Sequence, residues 1–137
     1  MNLPSPDKKY KSKNHKTYSC QYHVIFCPKY RRKVLTDGID ERLKVLIKET
    51  ADMYDFEVVD MEVMPDHVHL LIDCAPEPGI AECIKKLKAR TSHILRLEYP
   101  KLKTRIPTLW TRSCFISSVG AVSLETVKRY IDEQKHV

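Results

Sequence analysis

The chain has 137 residues, of which 42% are hydrophobic, so it suits a single compact domain with one buried core. Its 24 lysines and arginines against 18 aspartates and glutamates give a net charge of +6, which favours partners that carry phosphate or another anionic surface. The five cysteines are odd in number and form no C-x-x-C pair, so neither a disulfide framework nor a zinc knuckle is indicated. No stretch is long and apolar enough for a membrane span. We therefore expect a cytoplasmic protein.

The amino-terminal segment is polar and basic and contains two prolines, which predicts a flexible basic arm over residues 1–17 and a single domain over residues 18–137. The first predicted strand is YSCQYHVIFCPKY (18–30), where alternate residues share one face and Pro28 ends the pairing. The residues on that face are Tyr18, Cys20, Tyr22, Val24 and Phe26. A basic cluster follows directly, formed by Lys29, Arg31, Arg32 and Lys33.

A first helix and a hairpin are predicted next. Between Gly38 and Tyr54, apolar residues recur at the three-and-four spacing of an amphipathic helix. The recurring positions are Ile39, Leu43, Leu46, Ile47, Thr50, Ala51 and Tyr54. The β-branched segment FEVVDMEVM (56–64) and the extended segment DHVHLLIDC (66–74) are separated only by Pro65. Two adjacent strands with so short a connection are expected to pair as a hairpin.

A second amphipathic helix is predicted between residues 78 and 100, with an apolar stripe opposite a basic outer face. The stripe is Ile80, Ile84, Leu87, Thr91 and Ile94 or Leu95, and the basic face is Lys85, Lys86, Lys88 and Arg90. A row of lysines on a helix is more typical of a solvated surface than of a DNA contact.

The last third of the chain predicts a loop, a fourth strand and a last helix. The loop is KLKTRIPT (101–108), the strand is LWTRSCFISS (109–118), and the helix is LETVKRYIDEQKH (124–136) with Ser123 as its N-cap. The order strand, helix, strand, strand, helix, strand and C-terminal helix predicts an α+β fold of the ferredoxin-like or RRM-like type, a four-stranded antiparallel sheet with two helices on one face. Such a fold serves many functions, so it does not identify one.

Two histidines one residue apart, His67 and His69, lie on the predicted third strand. Residues two apart in a strand point to the same face and lie about 7 Å apart, which two ligands of one metal ion can span. Val68, Leu70 and Ile72 are expected to fill the core on the opposite face. Taken alone, the motif more often marks polar residues on a half-exposed sheet, and a metal ion would need at least one further protein ligand.

The last helix offers such a ligand. Tyr130 and Gln134 are four residues apart, so they project from adjacent turns, beside the apolar stripe of Leu124, Val127 and Ile131. A helix laid on the open sheet face would bring Tyr130 near the histidines and offer the Gln134 carbonyl oxygen to a metal ion. A tyrosine on a helix is, by itself, more typical of a core or boundary position.

This combination of a strand-borne His67-Val68-His69 and a helical Tyr130 and Gln134 resembles the HUH endonucleases, specifically the single-tyrosine transposases of prokaryotic insertion sequences. Four segments carry the resemblance in the family's order: YHVIFCPKYRR, VMPDHVHLLI, LWTRSCFISSVG and ETVKRYIDEQ. The resemblance implies that His67, His69 and Gln134 bind a divalent metal, Mg or Mn. It also implies that Tyr130 attacks a phosphodiester of single-stranded DNA and forms a 5′-phosphotyrosine intermediate.

The resemblance implies further properties of the expected transposase. Its substrate would be single-stranded DNA with imperfect hairpins at the ends of an insertion sequence, or repetitive extragenic palindromes. It would act as a homodimer in which the tyrosine helix can complete the partner's histidine site, with Gly120 as the hinge before that helix. The candidate nucleic-acid-binding residues are Lys29, Arg31, Arg32, Lys85, Arg90 and Arg112.

An alternative is a non-catalytic, RRM-like single-stranded nucleic-acid-binding protein, in which sheet aromatics would stack on bases. Tyr18, Tyr22 and Phe26 on the first strand motivate it, although the same alternation favours their facing the core. A phosphoesterase with paired H-x-T motifs is disfavoured because the chain has a single such motif, in the arm at residues 15–17. A zinc deaminase is excluded because the C-x-x-C half of its signature is missing.

Overall fold

The structure is a computed structural model, which describes residues 11–13, 16–18, 20–119 and 124–137. Within these residues the chain forms six strands and four α-helices. In chain order they are β1 (Lys11–Lys13), β2 (Lys16–Tyr18), β3 (Gln21–Phe26), α1 (Ile39–Met53), β4 (Glu57–Met64), β5 (His67–Asp73), α2 (Ile80–Glu98), α3 (Lys101–Arg105), β6 (Phe115–Ser118) and α4 (Leu124–Glu133).

The predicted α+β architecture is confirmed. Four strands form one antiparallel sheet in the order β4-β5-β3-β6, and the chain between β3 and β4 and between β5 and β6 supplies the helices α1 and α2. The hairpin of β4 and β5 has the expected short turn, with Met64 paired to His67. The two central strands, β5 and β3, align so that Ile25 is opposite His69. The sheet therefore brings the histidine strand to the middle of the domain.

The core lies between α1, α2 and one face of the sheet. Val24 and Phe26 of β3 and the predicted inward residues of β5 are fully buried there. The inward residues of β5 are Val68, Leu70 and Ile72. The apolar stripes of both helices point to the same core, as their spacing predicts, except that Tyr54 follows the end of α1 and is exposed. On α2, Leu95 rather than Ile94 completes the buried stripe.

The opposite face of the sheet, which carries the histidines and was expected to be open, is also buried. The expected open face instead contains side chains that are less than 10% exposed: Gln21, His23, Ile25, His69, Leu71 and Asp73. Lys11 of β1 reaches this face and forms an ion pair with Asp73 at 3.5 Å and a second one with Glu57. The central strands are consequently buried on both sides, so the expectation of an open histidine face was wrong.

Three element boundaries differ from those predicted. The first strand of the main sheet begins at Gln21 rather than residue 18, because Tyr18 pairs with Lys11 in the separate ladder of β1 and β2. The fourth strand shrinks to Phe115–Ser118, because Trp110 forms only an isolated bridge to Pro28, a residue without an N–H to continue a ladder.

The segment predicted as a loop at residues 101–108 contains α3, which starts directly after Pro100 and buries Leu102 completely. Proline suits the first turn of a helix, and burial of the leucine supplies the packing that its short helix needs.

Several predictions fall on residues outside the described ranges. These include most of the amino-terminal arm, the hinge at Gly120 and the N-cap at Ser123. Of the arm, only residues 11–13 and 16–17 are described, and together with Tyr18 they form the ladder of β1 and β2. None of the five cysteines, all of which lie in the described residues, is in a disulfide. No helix in the described part of the chain combines the length and apolarity that a membrane crossing requires.

A buried polar contact joins α2 to the segment before β6. The indole N–H of Trp110 donates to Thr91 Oγ1 at 3.0 Å, and that hydroxyl donates to the Leu87 carbonyl at 2.7 Å. We expect Thr91→Val to leave the buried indole N–H without a partner and to lower the free energy of unfolding by about 1–3 kcal/mol. Urea denaturation measures this loss. Thr104→Val is the control because Thr104 is exposed, and equal unfolding midpoints for the two variants would contradict the prediction.

Candidate active site

His67 lies at the start of β5, directly after the turn of the hairpin. Its Nδ1 atom is 2.9 Å from Asp66 Oδ1, and both side chains are largely buried. A carboxylate on one ring nitrogen fixes the orientation of the imidazole and leaves Nε2 for another partner. Metal-binding histidines in proteins have this type of support.

His69 lies on the same face of β5, deeper in the protein. Its Nε2 atom is 3.2 Å from Nδ1 of His23 on β3, and the two rings meet edge to face. Burial, reinforced by the neighbouring His23 and His67, lowers the pKa of His69 to about 4, so its ring is neutral at pH 7. Among the described residues, nothing hydrogen-bonds to the buried Nδ1 atom of His69. His69 therefore offers a buried, neutral ring with an Nδ1 atom that makes no hydrogen bond within the described residues.

Tyr130 and Gln134 project from the carboxyl-terminal part of α4 and the 3-10 turn that follows it, and both contact Ser113. The Ser113 hydroxyl lies 3.1 Å from Tyr130 Oη and donates to Gln134 Oε1 at 3.0 Å. Because a serine has one hydroxyl proton, Tyr130 is then the donor to Ser113. Gln134 is buried, and its Nε2 donates to the Tyr130 carbonyl at 3.2 Å. The two residues predicted to act together are thus joined by one hydroxyl group.

The phenol of Tyr130 is protonated at neutral pH. Burial raises the pKa of Tyr130 to about 12, and the hydrogen bond with Ser113 opposes that change only in part. The ring packs against Phe115, with 5.6 Å between the ring centroids. A reaction that uses the phenol oxygen as a nucleophile must therefore remove its proton.

Within the described residues, neither Tyr130 nor Gln134 makes a hydrogen bond or ring contact with the histidines. Arg31 connects the two pairs instead: its Nε lies 3.3 Å from Asp66 Oδ2, and its guanidinium donates to Asp132 Oδ1 at 3.1 Å. Burial and, to a lesser extent, the Asp66 carboxylate raise the pKa of the Cys27 thiol, and Cys27 in turn adds a small contribution to the raised pKa of Tyr130. The tyrosine helix is therefore docked on its own chain, beside the strand end that carries His67.

The six basic residues predicted to bind nucleic acid do not share one surface. Lys29, Lys85 and Arg112 line a groove of about 900 Å³ between α2 and the segment before β6, with Tyr30 and Trp110 in its wall. Arg32 is exposed outside this groove. The remaining two, Arg31 and Arg90, turn inward.

Two basic residues of α2 contradict the expectation of a solvated basic face. Arg90 donates to Thr50 Oγ1 at 3.2 Å and pairs with Glu49 at 3.1 Å, so it ties α2 to α1. Lys88 is partly buried, and its ammonium donates to the carbonyls of Thr111 and Ser113 at 2.9 and 2.8 Å. Both side chains are long enough to reach from the flank of the helix into polar gaps between α2 and its neighbours.

Sequence reasoning missed the partners that hold the candidate site: Asp66, His23, Ser113 and Lys88. For His23 a signal existed, since pairing of β3 with β5 places it on the face that carries His69. For Ser113 no local signal exists, because its role depends on where α4 docks. For Lys88 a signal also existed: it is four residues after Ile84 and three before Thr91, so helical spacing places it at the edge of the buried stripe, unlike Lys85 and Lys86.

Comparisons with known proteins agree with this architecture. Residues 16–134 match the family model described as IS200-like transposase. The ISDra2 transposase TnpA of Deinococcus radiodurans is 36% identical over 119 residues, which cover 85% of each chain. The transposase of insertion sequence element IS200 from Salmonella typhimurium is 25% identical over 130 residues, covering 91% of this chain and 86% of that one.

Two solved structures are similar as well. A crystal structure of a transposase candidate from Deinococcus radiodurans R1 superposes with a TM-score of 0.84 at 31% identity, covering 93% of this chain and 99% of that one. A REP-associated tyrosine transposase, solved with a REP hairpin bound, has a TM-score of 0.56 at 13% identity and shares the fold, with coverage of 88% of this chain and 69% of that one. Since the family model spans most of the chain, this protein belongs to the IS200-like transposase family.

Proposed function

We propose that this protein cleaves and rejoins single-stranded DNA at insertion-sequence ends, with Tyr130 as the nucleophile and a divalent metal ion as cofactor. The observation that carries the proposal is the joint placement of Tyr130 and Gln134 on Ser113, in a helix docked through Arg31 beside Asp66 and His67. Membership in a transposase family supports it independently.

The proposed metal ligands are His67, His69 and Gln134, with Mg or Mn as the ion. Three observations fit: the Nδ1 atom of the neutral His69, which has no partner among the described residues, the orientation of His67 by Asp66, and the Gln134 Oε1 atom, which accepts from Ser113 and has a second lone pair. The described part of the chain contains no group of three or more His, Cys, Asp or Glu side chains that could hold a metal, and the proposed set instead takes the amide oxygen of Gln134 as its third ligand. A bound cation would withdraw charge from the phosphate oxygens and orient the scissile bond.

The proposed reaction uses the phenol oxygen of Tyr130. In the cleavage step this oxygen forms a bond to phosphorus while the bond from phosphorus to the 3′ oxygen breaks, so the tyrosine holds the 5′ phosphate and a 3′ hydroxyl is released. Attack of a 3′ hydroxyl on the phosphotyrosine reverses these bonds and rejoins the DNA. Because one ester replaces another, strand transfer needs no external source of energy. Ser113 accepts the phenolic hydrogen bond before the reaction and holds the oxygen in place.

The proposed substrate is single-stranded DNA with hairpin ends. The groove lined by Lys29, Lys85 and Arg112 supplies positive charge for a phosphate backbone, and its aromatic wall supplies surfaces for base stacking. Arg112 also lies next to Ser113, so DNA in the groove would pass close to Tyr130. The related REP-associated transposase was solved with a hairpin. We also propose that the active form is a homodimer.

The alternative, a non-catalytic nucleic-acid-binding module, lacks its stacking platform. Phe26 is fully buried in the core and Tyr22 packs against the same core, so neither presents its ring on an open sheet. Tyr18 belongs to the separate ladder of β1 and β2. The aromatic residues of the first strand therefore favour packing rather than base recognition.

Metal dependence tests the proposal directly. We expect labelled single-stranded oligonucleotides, taken from hairpins that flank the gene, to be cleaved with Mn²⁺ and left intact with EDTA. Calorimetric titration with Mn²⁺ should show binding that His67→Ala and His69→Ala each weaken at least about 10-fold, because each removes one donor.

His93→Ala is the matched control, since His93 is exposed on α2 and distant in sequence from the other histidines. Circular dichroism checks that all variants are folded. Full cleavage in EDTA, or unchanged Mn²⁺ affinity in both site variants, would refute a metal site at these histidines.

A further inference from the structure

Lys88 organises the backbone that precedes β6. Its ammonium donates to the carbonyls of Thr111 and Ser113 and lies 3.5 Å from that of Arg112, so three successive carbonyls surround one cation. Its ammonium also lies 5.7 Å from the centroid of the buried Phe26 ring. A lysine ammonium has three donors and no acceptor, and here it finds its partners in one short segment of chain. That segment therefore curls around Lys88 and is fixed to α2.

The segment that Lys88 holds is the one that contacts the tyrosine helix. Thr111 at its start is tied to the end of β3 by a hydrogen bond from its N–H to the Cys27 carbonyl at 3.0 Å. Ser113 at its end presents the hydroxyl that meets Tyr130 Oη and Gln134 Oε1. A continuous chain of hydrogen bonds thus runs from Lys88 through the Ser113 backbone and side chain to Tyr130 on α4 and to Gln134 in the turn that follows it.

We propose that Ser113 sets the position of the Tyr130 phenol and the Gln134 amide for reaction, and that Lys88 is the residue that holds Ser113 in place. This inference rests on the proposed function of Tyr130. Ser113 contacts the reacting oxygen itself, whereas Lys88 is a positioning residue that acts through Ser113. A solvated surface lysine would have no such role, and the neighbouring Lys86, which is exposed, illustrates the difference.

The Ser113 hydroxyl is tested by removal and restoration. We expect Ser113→Ala to slow single-turnover formation of the covalent DNA adduct by on the order of 100-fold, since small misplacement of a reacting group has effects of that size. The dissociation constant for the hairpin oligonucleotide, measured by fluorescence anisotropy, should stay within about threefold. Ser113→Thr keeps the hydroxyl and should restore the adduct rate to within about threefold of the wild type. Ser118→Ala, at an exposed serine, is the control.

Lys88→Met tests whether the Lys88 ammonium holds Ser113 in place, because methionine keeps a side chain of similar length without the charge. We expect it to slow adduct formation as Ser113→Ala does, and to increase amide hydrogen exchange across α4 without changing α1, whereas Lys86→Met changes neither. Wild-type adduct rates in Ser113→Ala, or a lost rate that Ser113→Thr does not restore, overturn the role of Ser113. Unchanged rate and exchange in Lys88→Met overturn the role of Lys88.

These outcomes are separable from failure of the proposed function. If the wild-type protein forms no adduct with any hairpin oligonucleotide, the tyrosine chemistry is refuted. The exchange measurement still decides the docking role: faster exchange of α4 in both Ser113→Ala and Lys88→Met supports it, and wild-type exchange in both overturns it.

Discussion

Tyr130→Phe is expected to abolish the covalent protein–DNA adduct while leaving the protein folded and able to bind its hairpin. The substitution removes only the phenolic oxygen, and the contact between the ring and Phe115 is retained. Without that oxygen no ester to phosphorus can form, so we expect the adduct rate to fall by at least about 10⁴-fold, which corresponds to about 5.5 kcal/mol of activation free energy. Denaturing electrophoresis of labelled DNA with Mn²⁺ detects the adduct.

Tyr54→Phe is the matched control, because Tyr54 is exposed after the end of α1 and lies outside the candidate site. Its adduct rate should equal that of the wild type. An adduct of normal yield in Tyr130→Phe would show that another residue attacks the DNA, and the assignment of the nucleophile would have to be abandoned.

Phe26→Ala is expected to cause the largest loss of stability among single substitutions in the core. Phe26 is fully buried, packs edge to face against Trp110 at a centroid distance of 4.7 Å, and lies beneath the Lys88 ammonium. Truncation of a buried phenylalanine costs about 3–5 kcal/mol through lost burial and the cavity that remains. Because small domains are stable by only about 5–15 kcal/mol, the variant should be close to unfolding at 37 °C. Urea or thermal denaturation measures the change.

Val45→Ala provides the comparison on an exposed position. Val45 lies on the outer side of α1, and alanine has the higher helix propensity, so stability should be unchanged or slightly higher. If Phe26→Ala unfolded at the same urea concentration as Val45→Ala, the central packing between the sheet, Trp110 and α2 would not be what holds the domain together.

The elements that the sequence predicts well are those whose signal is local. The stripe of α1 from Ile39 to Ala51, that of α2, and the alternation of β5 each repeat within a few residues, and each is buried as the repeat requires. The placement of Tyr130 and Gln134 on one side of the carboxyl-terminal helical segment follows from their spacing of four residues in the same way. Such features need no knowledge of distant parts of the chain.

The features that could not be predicted depend on contacts between distant segments. The identity of Lys88 does not predict that its ammonium donates to the Ser113 carbonyl, 25 residues away in the chain, rather than pointing into solvent. The burial of His23 and His69 likewise depends on what covers a second face of the sheet, and alternation in β5 predicts only that one face is apolar. The sequence around Leu102 predicts a loop because its neighbours are charged, and the leucine is buried only because α3 packs against distant parts of the chain.

Arg31 joins the histidine strand to the tyrosine helix through two ion pairs that differ in how far they are exposed to solvent. Its partner Asp66 is 17% exposed, whereas its partner Asp132 on α4 is 74% exposed. Dissolved ions screen exposed charges far more than buried ones. Rising ionic strength therefore weakens the ion pair between Arg31 and Asp132 on the tyrosine helix first. The ion pair between Arg31 and Asp66, the carboxylate that orients His67, persists to higher salt.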